Sequence, residues 1–353
     1  MECLSHTLTH VGEHVKVPLL LKMKQDLCAL TKESYALRDH WFKVMGRQFL
    51  HPGNTRWWSY YELYCDLKDN WTLFLVFLHT AVVDGNVGEN GSRIRRLLAI
   101  INNPVQLAWL QLELDVIVVT MRPFVQATYL LEGKGPCAII AYDTIMRIDN
   151  WFLTHTTDMT FPNMEEAIRT CNDALIEANE ESSEANIIDL IRTKINPGYN
   201  YFKSRILEML KEDVEIYKTM RYTNPVAMIK LKENFSTATF VKDVKDLLYF
   251  SSDDLNMMLV DLPEYLQSLD NIPADSWEAD ELTYATEYWK QNRLNYPGIA
   301  MLARYSFTMI TSSASAERAF SVLKRCFSSD QRLALEDYVM LSCMLQINRR
   351  NAE

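Results

Sequence analysis

The chain opens with metal-ligand side chains at regular spacing. Cys3, His6, His10 and His14 recur at i, i+3, i+7 and i+11, which on an α-helix puts all four on one face. A thiolate and imidazoles are zinc ligands, and histidines one turn apart can share an ion. At the helical rise the outer two are about 16 Å apart, so one ion reaches two or three of them. No fourth ligand is evident, which favours structural packing over zinc. A cysteine hydrolase built on Cys3 and a histidine is conceivable, but nothing in the spacing marks that geometry. The stretch from Asp84 to Ser92, DGNVGENGS, offers backbone N–H groups for a phosphate. It lacks the Lys-Ser/Thr of a P-loop and the flanking strand-turn-helix pattern, so it reads as a loop. Glu132-Gly133-Lys134-Gly135-Pro136 reads as a turn.

These groups must be carried by a folded chain. A length of 353 residues allows two or three domains, or one domain with a large insertion. The 48% hydrophobic fraction excludes a mostly disordered chain, and only 10 glycines and 11 prolines disfavour collagen-like and many-hairpin designs. The formal charge of −10 is unlike that of a protein that coats DNA uniformly. It is unevenly spread: residues 1–60 and 286–353 are each net +3, whereas 61–285 is net −16. A phosphate-binding surface therefore belongs on the ends. The seven scattered cysteines form no C-x-x-C pair and read as reduced thiols. The first residues lack a secretory pattern. Leu73–Val83 reads as the most apolar stretch; it is 11 residues long and too short to span a bilayer. The expectation is a soluble intracellular protein with neither a membrane nor a small-molecule substrate.

Helical periodicity dominates. Residues 3–17 read as a helix that Pro18 ends or restarts, and Leu19 to Met45 continues it. Gln48-Phe49-Leu50 fits a short strand. Val105 to Thr120 contains Val116-Ile117-Val118-Val119, which alone fits a strand, but its continuity with Leu107, Leu110 and Leu114 favours a buried helix. Met164 to Ala178 has acidic groups in its first turn, as the helix dipole favours. Further helices are expected over 186–194, 199–222, 225–232 and 239–250, with Pro197-Gly198 and Asn224-Pro225 as breaks, and one more begins near Ser252. EANEESSE at 177–184 reads as a solvated segment.

The last stretch is the most specific. Glu287-Tyr288-Trp289 is followed by Tyr296-Pro297-Gly298-Ile299-Ala300-Met301-Leu302-Ala303-Arg304. Then come Ser312-Ser313-Ala314-Ser315-Ala316-Glu317-Arg318-Ala319-Phe320-Ser321, Arg332-Leu333 and a helical run to Asn348. This order resembles the C-terminal region of hAT-superfamily transposases. Cys3-Leu4-Ser5-His6-Thr7-Leu8 is similar to that family's C-x-x-H-x-L element. Asn54-Thr55-Arg56-Trp57-Trp58-Ser59 is similar to its T-R-W-N-S element, with Trp58 in place of the usual Asn. The family's proline before Ser-Ser is absent; Ile310-Thr311 occupies that stretch.

The resemblance implies a mainly α fold: a partial RNase H-like core interrupted by a large all-α insertion and closed by C-terminal dimerisation helices. The expected divisions are 1–60 for the core remnant, 61–285 for the insertion and 286–353 for the dimerisation region. It implies a chemistry in which two aspartates and a glutamate hold Mg²⁺ or Mn²⁺ for phosphodiester displacement. Glu317 matches the glutamate. Both aspartates precede the C-x-x-H element in the family, and only Met1 and Glu2 precede Cys3 here. The expectation is therefore a chain that is inactive by itself, with Glu317 as an ordinary helix carboxylate and no cofactor unless the aspartates are supplied. Arg56 and Trp57 match a DNA-binding pair whose tryptophan stacks on a flipped base; core packing is the alternative. Cys3 and His6 match a structural pair. Phe320 and Leu323 share one helix face with Phe327, and Tyr338, Leu341 and Leu345 share another with Ala334; these are the expected homodimer interface. The functional expectation is a non-catalytic, hAT-derived, self-associating nuclear protein with weak residual DNA binding. The rivals are a fragment of an active transposase, its aspartates lying upstream, and a helical protein-interaction scaffold.

Overall fold

The computed structural model describes residues 3–52, 58–83, 91–157, 161–273 and 280–312. Arg56, Trp57, Glu317, Phe320, Leu323, Tyr338, Leu341 and Leu345 lie outside the described residues. Every described element is a helix and no β-strand occurs among the described residues. In order they are α1 (Leu4–His10), α2 (Pro18–Glu33), α3 (Tyr35–Met45), α4 (Trp58–Asp69), α5 (Trp71–Val83), α6 (Gly91–Ile101), α7 (Pro104–Leu131) and α8 (Ala138–Thr157). Then follow α9 (Glu165–Glu177), α10 (Glu184–Phe202), α11 (Lys211–Met220), α12 (Pro225–Leu231), α13 (Thr237–Asp246), α14 (Ser252–Ser268), α15 (Glu281–Asn292) and α16 (Pro297–Thr308). The mainly α expectation is met.

Three sequence readings are corrected. Gln48-Phe49-Leu50 is not a strand; it is irregular chain after α3, which ends on Gly46 in the left-handed conformation that glycine adopts freely (φ +69°). Pro197-Gly198 does not break a helix but lies inside α10. There a Cβ on Gly198 would come within 2.9 Å of Val15 Cγ2 and 3.1 Å of the Val11 carbonyl oxygen. The glycine is needed for close approach, not for a turn. The helix over Leu19–Met45 is interrupted at Ser34, whose hydroxyl accepts the Leu37 N–H and starts α3 afresh.

The chain divides into two compact units. One comprises Met1–His6, Leu130–Tyr142 and Glu215–Glu353; the other comprises Thr7–Tyr129 and Asp143–Val214. The second unit contains most of α7, whose 28 residues are long and apolar enough to cross a membrane by length and composition alone. Its most apolar window is 56% buried in protein. Glu113 on this helix is only 2% exposed. One of its carboxylate oxygens accepts Lys194 Nζ at 2.8 Å, and the other accepts the Leu20 N–H at 3.0 Å in the first turn of α2. A buried carboxylate satisfied on both oxygens suits a core helix. Asp26 and Arg96 form a second, bidentate pair at 2.6 and 3.3 Å. Trp58 is buried at the start of α4, 5.9 Å from the Tyr129 ring, so this ring is core.

Candidate functional site

The unit that holds both chain ends is organised around aromatic side chains whose polar tips are aimed at backbone carbonyls. Trp289 on α15 donates its indole N–H to the Thr223 carbonyl at 2.6 Å. Fully buried Tyr265 on α14 donates to the Tyr222 carbonyl at 3.1 Å. Their rings lie 5.4 Å apart, and Tyr288 and Tyr296 complete the cluster at 6.2 and 6.0 Å from Tyr265. Tyr222 itself donates to buried Asp243 at 2.7 Å. Burial pushes all three phenols, Tyr222, Tyr265 and Tyr288, above their ordinary range, with Tyr288 reaching about 12. The Glu-Tyr-Trp and Tyr-Pro elements singled out in the sequence are thus packing and anchoring residues.

The next motif element is set by a tight crossing. Pro297 opens α16, where its missing N–H costs nothing. The Gly298 and Ile299 N–H groups both donate to Asp261 Oδ2, at 2.5 and 3.4 Å, so α14 supplies the cap that Tyr296 cannot. A Cβ on Gly298 would sit 2.5 Å from the Met257 carbonyl carbon. Only glycine lets the two backbones approach this closely.

Beyond α16, residues 309–312 form a loop tied down at three points. Tyr217 donates to the Ile310 carbonyl at 3.0 Å, and Thr311 Oγ1 donates to the Leu131 carbonyl at 2.9 Å. Ser5 Oγ donates to Ser312 Oγ at 2.9 Å, across 307 positions of sequence. Cys3 Sγ lies 3.2 Å from Ser5 Oγ and accepts the His6 N–H at 3.4 Å. The C-x-x-H element and the first residue of SSASAERAFS therefore share one site. Buried Cys137 borders it; burial raises its thiol, and its Sγ donates to the Gly133 carbonyl. A cleft of about 220 Å³ opens between residues 131–137 and 307–312.

Of the residues named from sequence, the structure brings Cys3 and Ser312 together and places exposed His6 beside them. His10 and His14 belong to the other unit. His10 pairs with Glu13 at 3.0 Å, and His14 stacks on Tyr201 at 4.2 Å. The chain leaves α-helical geometry at Val11, so the regular Cys/His face ends there. No group of three His, Cys, Asp or Glu side chains among the described residues could hold a metal. A two-metal phosphodiester site needs three carboxylates, and Glu317, which matches the family's glutamate, lies outside the described residues.

Sequence reasoning missed Ser5, Tyr217 and Thr311 as anchors of the loop. Only Thr311 carried a signal: it stands in the stretch where the family has a proline. On the α16 side, Lys290, Arg293 and Arg304 border a groove of about 230 Å³ floored by Ala300, Ala303 and Phe307. Arg293 and Arg304 are exposed and form no ion pair among the described residues.

Residues 261–346 match the hAT family C-terminal dimerisation region. That span covers the end of α14, all of α15 and α16, and the anchored loop. No curated protein matches the chain. The aromatic cluster, the glycine crossing and the loop leading into the glutamate motif lie in or against this matched span, so this part of the chain is similar to the hAT family C-terminal dimerisation region.

Proposed function

We propose that this protein acts by self-association through its C-terminal region and does not cut DNA by itself. The observation that carries the reading is the match of residues 261–346 to a dimerisation region, on a framework of α14, α15 and α16 held by buried aromatic anchors. The chemistry of the family needs three carboxylates around its metals, and no group of three His, Cys, Asp or Glu side chains among the described residues could hold a metal. Weak DNA affinity on the end segments, through Arg56 and Trp57, and residence in the nucleus complete the proposal. The net +3 of residues 286–353, with the exposed Arg293 and Arg304, supports the phosphate affinity.

The test is the mass of the full chain in solution by size-exclusion with light scattering, beside a DNA-nicking assay with added Mg²⁺ or Mn²⁺. A dimer without nicking is the expected result. A monomer at tens of micromolar would remove the self-association reading, and metal-dependent nicking would remove the non-catalytic one.

One observation favours a second reading. The Ser5–Ser312 contact keeps the C-x-x-H element beside the segment that leads to Glu317. A chain that retains this arrangement is suited to act as part of a transposase whose aspartates are supplied by further residues or by a partner chain.

A further inference from the structure

We infer that the corner between α13 and α14, with Tyr305 of α16 beneath it, is a surface on which a second copy of this chain docks. The inference rests on the self-association reading and names the contact. Leu248 occupies the left-handed region with φ +54° and is 93% exposed. That conformation is unfavourable for a residue with a Cβ, and glycine would adopt it freely. The strain holds a bulky apolar side chain out into solvent, where it contributes nothing to this unit's core. Tyr249 beside it is 67% exposed and lies over the Tyr305 ring at 4.5 Å. Phe250 meets both rings edge-on, at 5.0 and 5.5 Å. The result is a supported aromatic ledge tipped by a leucine.

Two features point to a second copy as the occupant. Tyr305 lies within the matched dimerisation region, so the ledge is continuous with it. The rim is also self-complementary. The α13 side carries exposed Lys242 and Lys245 with Asp246, and the start of α14 carries exposed Asp253. Neither lysine nor Asp253 forms an ion pair among the described residues. A two-fold axis through the ledge sets the α13 end of one copy against the α14 start of the other, so Lys245 meets Asp253 of the second copy twice. Tyrosine on a supported base is a frequent anchor of such contacts.

The experiment measures the dimer dissociation constant of the full chain by analytical ultracentrifugation, with thermal unfolding alongside. Leu248→Gly relieves the backbone strain, so it should leave the unfolding temperature unchanged or higher while raising the constant at least about tenfold. Tyr249→Ser should weaken the dimer in the same way. Lys245→Glu and Asp253→Lys should each favour monomer alone and form a dimer when the two chains are mixed, because only the mixed pair restores both contacts. A wild-type dimer that stays equally tight in Leu248→Gly and Tyr249→Ser overturns the inference and leaves self-association standing. A wild-type monomer overturns both. Failure of the mixed chains to pair overturns the two-fold arrangement.

Discussion

The two units bury polar groups by different means. In the unit spanning Thr7–Tyr129 and Asp143–Val214, two carboxylates are satisfied by cations, Glu113 by Lys194 in the interior and buried Asp26 by the half-exposed Arg96, beside neutral contacts such as Tyr61 to the Val118 carbonyl. In the unit carrying the matched region, most deep polar contacts are neutral donors aimed at backbone carbonyls: Trp289 to Thr223, Tyr265 to Tyr222, Tyr217 to Ile310 and Thr311 to Leu131. A charged pair taken out of water depends on both partners being present. A neutral donor on a carbonyl fixes geometry at smaller cost, because each carbonyl sits at a helix end or turn that needs a partner anyway. The first scheme ties distant helices together. The second fixes loops, and one of those loops leads into the glutamate motif.

The largest expected effect breaks the charged scheme. Glu113→Ala leaves Lys194 buried at 13% exposure without its carboxylate and removes the acceptor of the Leu20 N–H. Removing one partner of such a pair costs about 3–5 kcal/mol. Urea unfolding should show that loss, and hydrogen exchange should place it in α2, α7 and α10. Loss confined to the matched region would show that the charged contacts are not what holds this unit.

Next comes the crossing of α14 and α16. Gly298→Ala puts a methyl where the Met257 backbone already lies, and backbone cannot rotate away as a side chain can. Overpacking of this kind costs about 1–3 kcal/mol, and the rigid neighbour places this site at the upper end. The loss should appear in the exchange of α14 and α16 and leave α7 protected. An unchanged melting temperature would mean that the two helices separate freely.

Much of this contrast was legible beforehand, and the gaps have physical causes. The helices over Met164–Ala178 and Pro225–Lys232 follow from periodicity and capping, which are local. The buried run around Val116 reads as helix because its apolar continuity is too long for one strand. Pro197-Gly198 misleads because proline's local cost is overridden by the packing of Val11 and Val15 against that face. Gln48–Leu50 has strand propensity but no neighbouring strand among the described residues to pair with. The Trp289, Tyr296 and Gly298 positions stand out in the sequence as motif, yet their reason lies in carbonyls and backbones supplied by α14 and by residues 222–223, which no spacing rule reaches. The Ser5–Ser312 contact is the extreme case. Two short polar residues at opposite ends of the chain carry no local signal for each other.

The smallest effect sharpens the neutral scheme. Tyr288 shares a hydrogen bond of 2.7 Å with Ser268, and Tyr288→Phe removes it for about 1 kcal/mol near neutral pH. Burial raises this phenol from its ordinary 10.0 to about 12. The folded state therefore keeps the proton through a window in which the unfolded chain has lost it. That contribution to stability is fully present below pH 10.0 and falls away as pH rises toward about 12. Phenylalanine has no proton to lose, so the wild-type advantage over the variant should shrink through that window. Paired urea titrations at stepped pH give the difference directly, and other tyrosines cancel between the two chains. A gap that stays constant to the top of the window would mean that the phenol is solvated in the folded state, and the anchoring of this cluster would then rest on Trp289 and Tyr265 alone.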